Sequence, residues 1–145
     1  MRLLGVDLGE ARTGFALSDP GGTLASPAGV VAEKDEARLL RAVADRAGQH
    51  GVAAIVVGYP RNMDGSAGAR AQKCAAFAEK LSEITGLPIH LWDERLSTKS
   101  AIGYMNATNT RGKKRKAQID MAAATIILQS YLDAQRLADT PLEKG

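Results

Sequence analysis

Three carboxylates from distant parts of the chain are the residues best suited to chemistry. Asp7, Glu94 and Asp120 each lie where a predicted strand or helix would direct the side chain toward one shared point. Carboxylates that meet repel one another, so proteins usually hold them together with a cation. Oxygen ligands of this kind prefer a hard cation such as Mg²⁺ or Mn²⁺. The three acids therefore indicate a divalent-metal site for phosphodiester chemistry.

Asp7 has a structural explanation as well as a chemical one. An aspartate often enters a turn and hydrogen-bonds its own backbone. Gly5 and Gly9 flank it, however, and glycines let a bulky anion approach the backbone, while Arg12 supplies a positive side chain nearby. The pattern favours a functional role without specifying which one.

The other two acids also leave alternatives open. Asp120 begins the inward stripe of the last predicted helix, yet an acid near a helix N-terminus, or one paired with Arg115 or Lys116, would give the same pattern. Glu94 belongs to a charge cluster with Asp93. Adjacent strand positions point to opposite faces, so the two are not expected to do the same job, and Asp93 is the alternative ligand to Glu94.

Basic residues are concentrated just before the helix that carries Asp120. A charge run in a loop is most often a solvated tether, but beside an acidic site it can hold flanking phosphates. The chain has few aromatic residues, so contacts to phosphate and to nucleic-acid shape are favoured over base readout. The candidate nucleic-acid contacts are Arg12, Arg61, Asn62, Arg95, Arg111, Lys113, Lys114, Arg115 and Lys116.

Length and composition favour one globular domain spanning residues 1–145. The chain is 45% apolar and 24% charged, a balance typical of a folded protein, and no apolar run approaches the length of a membrane span. We expect no membrane association, no export signal and, because Cys74 is the only cysteine, no internal disulfide. A cytoplasmic location fits these features. The net charge of +3 weakly favours a polyanionic partner.

The elements that must position these residues predict an α/β fold with a mixed sheet and helices on its faces. Strands are predicted at residues 3–8, 13–18, 23–31, 52–57 and 88–92. Helices are predicted after Asp35 and at about residues 66–84, 97–107 and 114–137. Pro27 would push the third strand toward an edge or a bulge. Asp7 then closes the first strand and Glu94 follows the last, at the edge where ligands bind in such sheets.

Four blocks of residues follow one another along the chain. They are Gly5-Val6-Asp7-Leu8-Gly9 with Arg12, Thr13 and Gly14; Gly58-Tyr59-Pro60 with Asn62, Asp64 and Gly65; Asp93-Glu94-Arg95-Leu96-Ser97-Thr98; and Lys116 with Asp120, Ala122, Ala123 and Gln129. In this order they resemble the YqgF/RuvX family of RNase H-like proteins. That family is described both as Holliday junction resolvase-like proteins and as nucleases maturing small-subunit ribosomal RNA. The resemblance covers nearly the whole chain.

The resemblance implies a fold and a set of roles. The fold would be a mixed five-stranded sheet, with three antiparallel strands followed by parallel additions. Asp7, Glu94 and Asp120 would be catalytic acids that bind Mg²⁺ or Mn²⁺. Many RNase H-like relatives bear an acid at the end of the fourth strand, where this chain has Gly58, and Glu94 on the neighbouring strand would substitute for it. The implied substrate is a ribosomal RNA precursor, with cleavage of DNA junctions second.

Two further functions compete with a nuclease. An ATP-binding protein of the actin and hexokinase kind also uses an aspartate and a glycine before a hairpin, although such folds need two domains. A non-catalytic nucleic-acid-binding protein would keep the acids for structure and would bind in a salt-sensitive way without turnover. His50 and His90 are interpreted as structural. The oligomeric state is left open between monomer and homodimer.

Overall fold

The structure is a computed structural model that describes residues 1–62, 64–94 and 112–139. In the last segment the helical backbone is described throughout and the side chains at residues 119 and 121–137. The strands are β1 (Leu3–Leu8), β2 (Arg12–Ser18), β3 (Ala25–Ala32), β4 (Ala54–Tyr59) and β5 (Ile89–Asp93). The helices are α1 (Glu36–His50), α2 (Ala69–Thr85) and α3 (Gly112–Asp139).

The five strands form one mixed sheet in the order β3-β2-β1-β4-β5. The first three strands pair antiparallel, whereas β4 adds parallel to β1 and β5 parallel to β4. This arrangement confirms the predicted fold class. Pro27 lies in β3 at the sheet edge, and the pairing of β2 with β3 shifts register between Phe15 and Ala16, so the expected edge position and irregularity both occur.

Two hydrophobic cores cover the two faces of the sheet. On one face α1 and α2 pack over side chains that include Val6, Ile55 and Val57. On the other face α3 packs over Val56 and neighbouring residues. Because successive residues of β4 enter opposite cores, this strand is buried on both faces, as its compact β-branched sequence predicts.

The helix ends follow local sequence signals. The Asp35 side chain accepts a hydrogen bond from the Arg38 N–H at 3.0 Å and so caps the start of α1. Gly51 and Gly86 end α1 and α2 in the left-handed conformation, with φ of 59° and 69°. Glycine has no Cβ atom and therefore adopts that conformation without the usual steric penalty.

Two helix boundaries differ from those predicted. α2 begins at Ala69, three residues late, because Ser66 is held outside the helix by the Asn62 N–H, which donates to the Ser66 carbonyl. α3 begins at Gly112, so the basic residues 113–116 lie in its first turns and not in a preceding loop. Lysine and arginine are good helix formers, which explains the earlier start. The helix predicted at 97–107 lies outside the described residues. Among the residues that are described, no helix is long and apolar enough to cross a membrane.

Candidate acidic site

Asp7 lies near the carboxyl end of the central strand β1, on the face that α3 covers. The face is fixed by Gly5, where an added Cβ would stand 2.7 Å from Leu128 Cβ and 3.1 Å from the Ala124 carbonyl oxygen. Residues two apart in a strand share a face, so Asp7 points to the same side. Its side chain is half-buried. α3 therefore packs closely on the sheet at Gly5, two residues before Asp7.

Glu94 follows β5 directly and reaches back over the neighbouring strand. Its Oε2 lies 2.8 Å from the point where a Cβ on Gly58 would stand. Ile127 Cδ1, from α3, lies 2.7 Å from the same point. The Glu94 carboxylate thus occupies space that any side chain at the end of β4 would fill. Because β4 separates β5 from β1, this placement carries the carboxylate toward Asp7.

The electrostatics of this acidic pair favour a positive partner. The pKa of Glu94 is raised to about 7, first by burial and then by the negative charge of Asp7. The guanidinium of Arg70 acts in the opposite direction, and Asp93 adds a smaller upward contribution. A carboxylate disfavoured by burial and by a like charge gains most from a bound cation, since a cation stabilises its ionised form.

Asp120 occupies a backbone position compatible with this pair. It precedes Ala124 by one helical turn, and Ala124 packs beside Gly5. Gln129, further along α3, hydrogen-bonds the Ala25 N–H at the start of β3, near the amino end of β1. The helix therefore runs antiparallel to β1. One turn back from Ala124 advances about 6 Å, similar to the roughly 7 Å from Gly5 to Asp7 along a strand.

A third acid is needed to complete the predicted set. Within the side chains that the structure describes, no group of three or more histidine, cysteine, aspartate or glutamate residues could hold a metal ion. The side chain of Asp120 lies outside that part of the structure. The structure thus brings Asp7 and Glu94 together and describes Asp120 by its backbone position alone.

The predicted nucleic-acid contacts fall into three groups. Arg12 begins β2, and the exposed Arg61 places its guanidinium carbon 5.4 Å from the ring centroid of Tyr59. Asn62 donates its side-chain amide to Ser66 Oγ at 3.0 Å, which ties it into its own turn. Residues 113–116 are described by helical backbone only. Arg95 and Arg111 lie outside the described residues.

His90, for which the sequence predicts a structural role, packs against aromatic side chains. His90 stacks on Tyr131 with ring centroids 5.3 Å apart, and Trp92 meets the same ring edge-on at 5.7 Å. Cys74 is buried in α2. Asp93 ends β5 one position before Glu94, and the choice between these two acids as the ligand stays a prediction.

Sequence reasoning missed Arg70. Its Nη2 donates a hydrogen bond to the Leu8 carbonyl at 3.0 Å, directly after Asp7 in the chain. Arg70 lies in the first turn of α2, where the helix dipole disfavours a positive side chain. A charge placed against that preference was the available signal that Arg70 has a partner elsewhere. Its guanidinium lowers the pKa of Glu94, so Arg70 places a positive charge near the acidic pair.

Named proteins from other organisms are similar to this chain in sequence over nearly its whole length. A relative from Geobacillus thermodenitrificans is 45% identical over 141 residues, covering 94% of this chain and 100% of the relative. Another from Lachnospira eligens is 41% identical over 139 residues, covering 94% and 99%. Both are named as candidate pre-16S rRNA nucleases.

Solved structures support the fold. Thermus thermophilus RuvC matches with a TM-score of 0.61 at 14% identity, covering 95% of this chain and 97% of that chain. RuvC from the same organism in complex with a Holliday junction substrate matches with a TM-score of 0.63 at 13% identity, covering 95% and 96%. The fold is therefore the RNase H-like fold of the RuvC resolvases. A family model described as RuvX, Holliday junction resolvase, matches residues 1–134. Nearly complete coverage by that model and by close relatives places this chain in the RuvX family.

Proposed function

We propose that this chain is a divalent-metal-dependent nuclease that hydrolyses phosphodiester bonds of structured nucleic acid. Its proposed substrate is ribosomal RNA precursor, at the 5′ end of the small-subunit RNA. Membership of the RuvX family and the names of the relatives support nuclease activity. The observation that carries the metal dependence is the half-buried Glu94 carboxylate, which lies beside Asp7 in the space that Gly58 leaves open.

The residues present suit a hard divalent cation. Asp7 and Glu94 supply carboxylate oxygens, and Asp120 on α3 would supply a third, the ligand type that Mg²⁺ and Mn²⁺ prefer. A bound ion of this kind would supply an activated water and neutralise charge that develops on the phosphate.

The chain's own residues have defined parts in this proposal. Asp7 and Glu94 would supply the negative charge that binds the cation, and Ile127 of α3 packs over Gly58 beside the Glu94 carboxylate. Glu94 must lose its proton to act as a ligand, so cation binding and its deprotonation are coupled. The basic residues of α3 and Arg61 would contact phosphates on either side of the scissile bond.

The proposed RNA substrate rests on the relatives, and DNA junctions are the second candidate. Both named relatives are candidate pre-16S rRNA nucleases. The description of the family model as Holliday junction resolvase favours the alternative. Precursor ribosomal RNA would place the protein in the cytoplasm. We expect residues 1–145 to act as one nuclease domain, as a monomer or homodimer.

An experiment with three substrates distinguishes these functions. Wild type, Asp7→Asn and the control Asp45→Asn, altered at an exposed position of α1, are incubated with labelled 16S precursor RNA, single-stranded DNA and a four-way junction. Each reaction contains Mn²⁺, Mg²⁺ or a chelator, and the products are mapped. We expect cleavage of the precursor only with metal, lowered at least about 100-fold by Asp7→Asn and unchanged by Asp45→Asn.

Other outcomes would contradict the proposal. Salt-sensitive binding without metal-dependent turnover would identify a non-catalytic binding protein. Cleavage of the junction alone would identify a DNA endonuclease. Full activity of Asp7→Asn would remove the acidic site from the mechanism.

A further inference from the structure

A second concave feature lies beside the acidic pair, on the other face of the sheet. It is an open cleft of about 110 Å³ between α1 and α2, at the carboxyl end of β1, and we refer to it as the α1/α2 cleft. Its floor is apolar and includes Leu39, Cys74 and Phe77. Its rim carries charges of both signs. The acidic site as described above does not use this cleft.

We propose that the α1/α2 cleft binds one unstacked nucleobase of the substrate strand, next to the scissile phosphate. This inference rests on the proposed nuclease function and adds a specificity subsite to it. Sequence-specific recognition of RNA usually relies on unpaired bases that leave the stack and enter a protein pocket. Such a contact would let a nuclease place its cut at a defined point of a precursor strand.

The size of the cleft fits a single ring. An apolar cavity of roughly 150 Å³ accepts one benzene molecule. Pockets for larger ligands measure about 300–1,000 Å³. At about 110 Å³ the α1/α2 cleft is smaller than that cavity, but its open mouth can receive the edge of one base, with the sugar left outside, and it is too small for a whole ATP molecule.

The charges at the rim favour a base over a phosphate. Glu10, Glu33 and Lys34 stand on the side formed by the β1–β2 turn and the β3–α1 connection. The two carboxylates outnumber the one ammonium, so this side disfavours a phosphate. Carboxylates instead accept hydrogen bonds from the exocyclic amino groups of bases, as acids do from cytosine N4. The cleft should therefore prefer a base with an amino group to uracil.

The wall of the cleft that α2 forms is basic and contacts the end of the strand that carries Asp7. Arg70 and Lys73 line it from α2, and Arg70 also holds the Leu8 carbonyl next to Asp7. A base in the cleft would place its own phosphate near these two cations. The adjoining phosphate could then reach the acidic pair at the same edge of the sheet.

Electrostatic coupling supports the short distance between cleft and acids. The pKa of the Cys74 thiol in the cleft floor is raised to about 11, chiefly by burial. Arg70 opposes that shift, while the negative charges of Glu94 and Asp7 both increase it. The cleft floor and the acidic pair therefore lie within each other's fields.

Substrates that lack single bases test the inference. The bond that wild type cleaves is mapped first, and an abasic nucleotide is then placed at each of three positions on either side of it. Dissociation constants are measured with the full-length Asp7→Asn protein in chelator, and kcat/KM with wild type in Mn²⁺. We expect one position adjacent to the bond to weaken binding at least about tenfold, in the range for loss of one stacked base. Uracil at that position should bind more weakly than cytosine.

Variants at the exposed residue Lys73 connect the effect to the cleft. Lys73→Trp places an indole over the mouth, whereas the control Lys73→Ala removes the same charge and leaves the mouth open. We expect Lys73→Trp to lose the difference between intact and abasic substrates and Lys73→Ala to keep it. Circular dichroism melting checks that both variants fold.

The possible failures are separable. If no abasic position alters binding, or if Lys73→Trp discriminates as well as Lys73→Ala, the α1/α2 cleft is not a base subsite. That result leaves the nuclease proposal intact as long as cleavage needs Asp7. If Asp7→Asn cleaves as fast as wild type, the proposed function fails, whatever the abasic series shows.

Discussion

The Glu94 carboxylate occupies the space that a side chain at Gly58 would need. Oε2 of Glu94 lies 2.8 Å from the ideal Cβ position, closer than ordinary van der Waals contact. Gly58 pairs with Trp92 on β5, two residues before Glu94, so the glutamate reaches back across its own strand end toward β4. Gly58 at the end of β4 has no side chain, and the carboxylate of Glu94, which follows β5, fills the space that this leaves.

Adding a methyl group at Gly58 tests this arrangement. We expect Gly58→Ala to displace Glu94 Oε2 and Ile127 Cδ1 and to lower the free energy of unfolding by about 1–3 kcal/mol, the usual cost of overpacking. Cleavage should fall at least about tenfold because a misplaced ligand is costly. Urea unfolding and single-turnover cleavage measure the two effects. Gly48→Ala is the control, since nothing lies within 4 Å of its Cβ position and alanine stabilises a helix. Normal cleavage by Gly58→Ala would show that Glu94 is not needed where it lies.

Gly5 should tolerate a methyl group even less well. Its added Cβ would meet Leu128 Cβ at 2.7 Å and the backbone oxygen of Ala124 at 3.1 Å, and neither atom is the flexible end of a side chain. Gly5→Ala must therefore push α3 away from β1. We expect a loss of about 3 kcal/mol in the free energy of unfolding, measured by urea denaturation. A loss below about 0.5 kcal/mol would contradict the close packing of α3 on β1.

The metal-free protein should lose stability as pH rises through 7. The pKa of Glu94 is raised from 4.5 to about 7 in the folded protein, so between these values the folded state binds more protons than the unfolded state. Stability from this group is therefore complete below pH 4.5 and lost as pH passes 7. After allowance for partial exposure, we expect a loss of about 2 kcal/mol between pH 5 and pH 8.

Thermal melts in chelator measure this pH effect. Glu94→Gln should remove the corresponding part of the pH dependence, so the difference between the two proteins isolates the contribution of Glu94. Adding Mn²⁺ at pH 8 should restore stability to wild type and not to the variant. Identical pH profiles for wild type and Glu94→Gln in chelator would contradict the raised pKa.

The basic start of α3 should contribute to nucleic-acid affinity through phosphate contacts. Lys114→Ala with Arg115→Ala should lower the slope of log K against log salt by about 1.5, the sum expected for two lost contacts. The charge-matched control is Arg38→Ala with Arg41→Ala on the exposed face of α1. Fluorescence anisotropy at several salt concentrations gives the slopes. Equal slopes for the two double variants would show that residues 114 and 115 do not contact phosphates.

The sequence contained enough information to predict the fold and only part of the site. The order of short strands and amphipathic helices follows from local periodicity. Asp35 caps α1 and Pro27 lies in the edge strand β3, as their local sequences predict. The contact of Glu94 with Gly58 joins residues 36 positions apart in the chain, and it depends on strand order and on α3 packing that no local pattern specifies. The hydrogen bond from Arg70 to Leu8 was missed for the same reason, since it spans 62 residues.

Calorimetric titration of the purified protein with Mn²⁺ at pH 8 tests the acidic site most directly. Wild type, Glu94→Gln and the neighbouring control Asp93→Asn are compared without nucleic acid. The acidic pair predicts that Glu94→Gln weakens Mn²⁺ binding at least about 100-fold, while Asp93→Asn stays within about threefold of wild type. Unchanged Mn²⁺ affinity in Glu94→Gln, or a greater loss in Asp93→Asn, would contradict the assignment of Glu94 as a metal ligand.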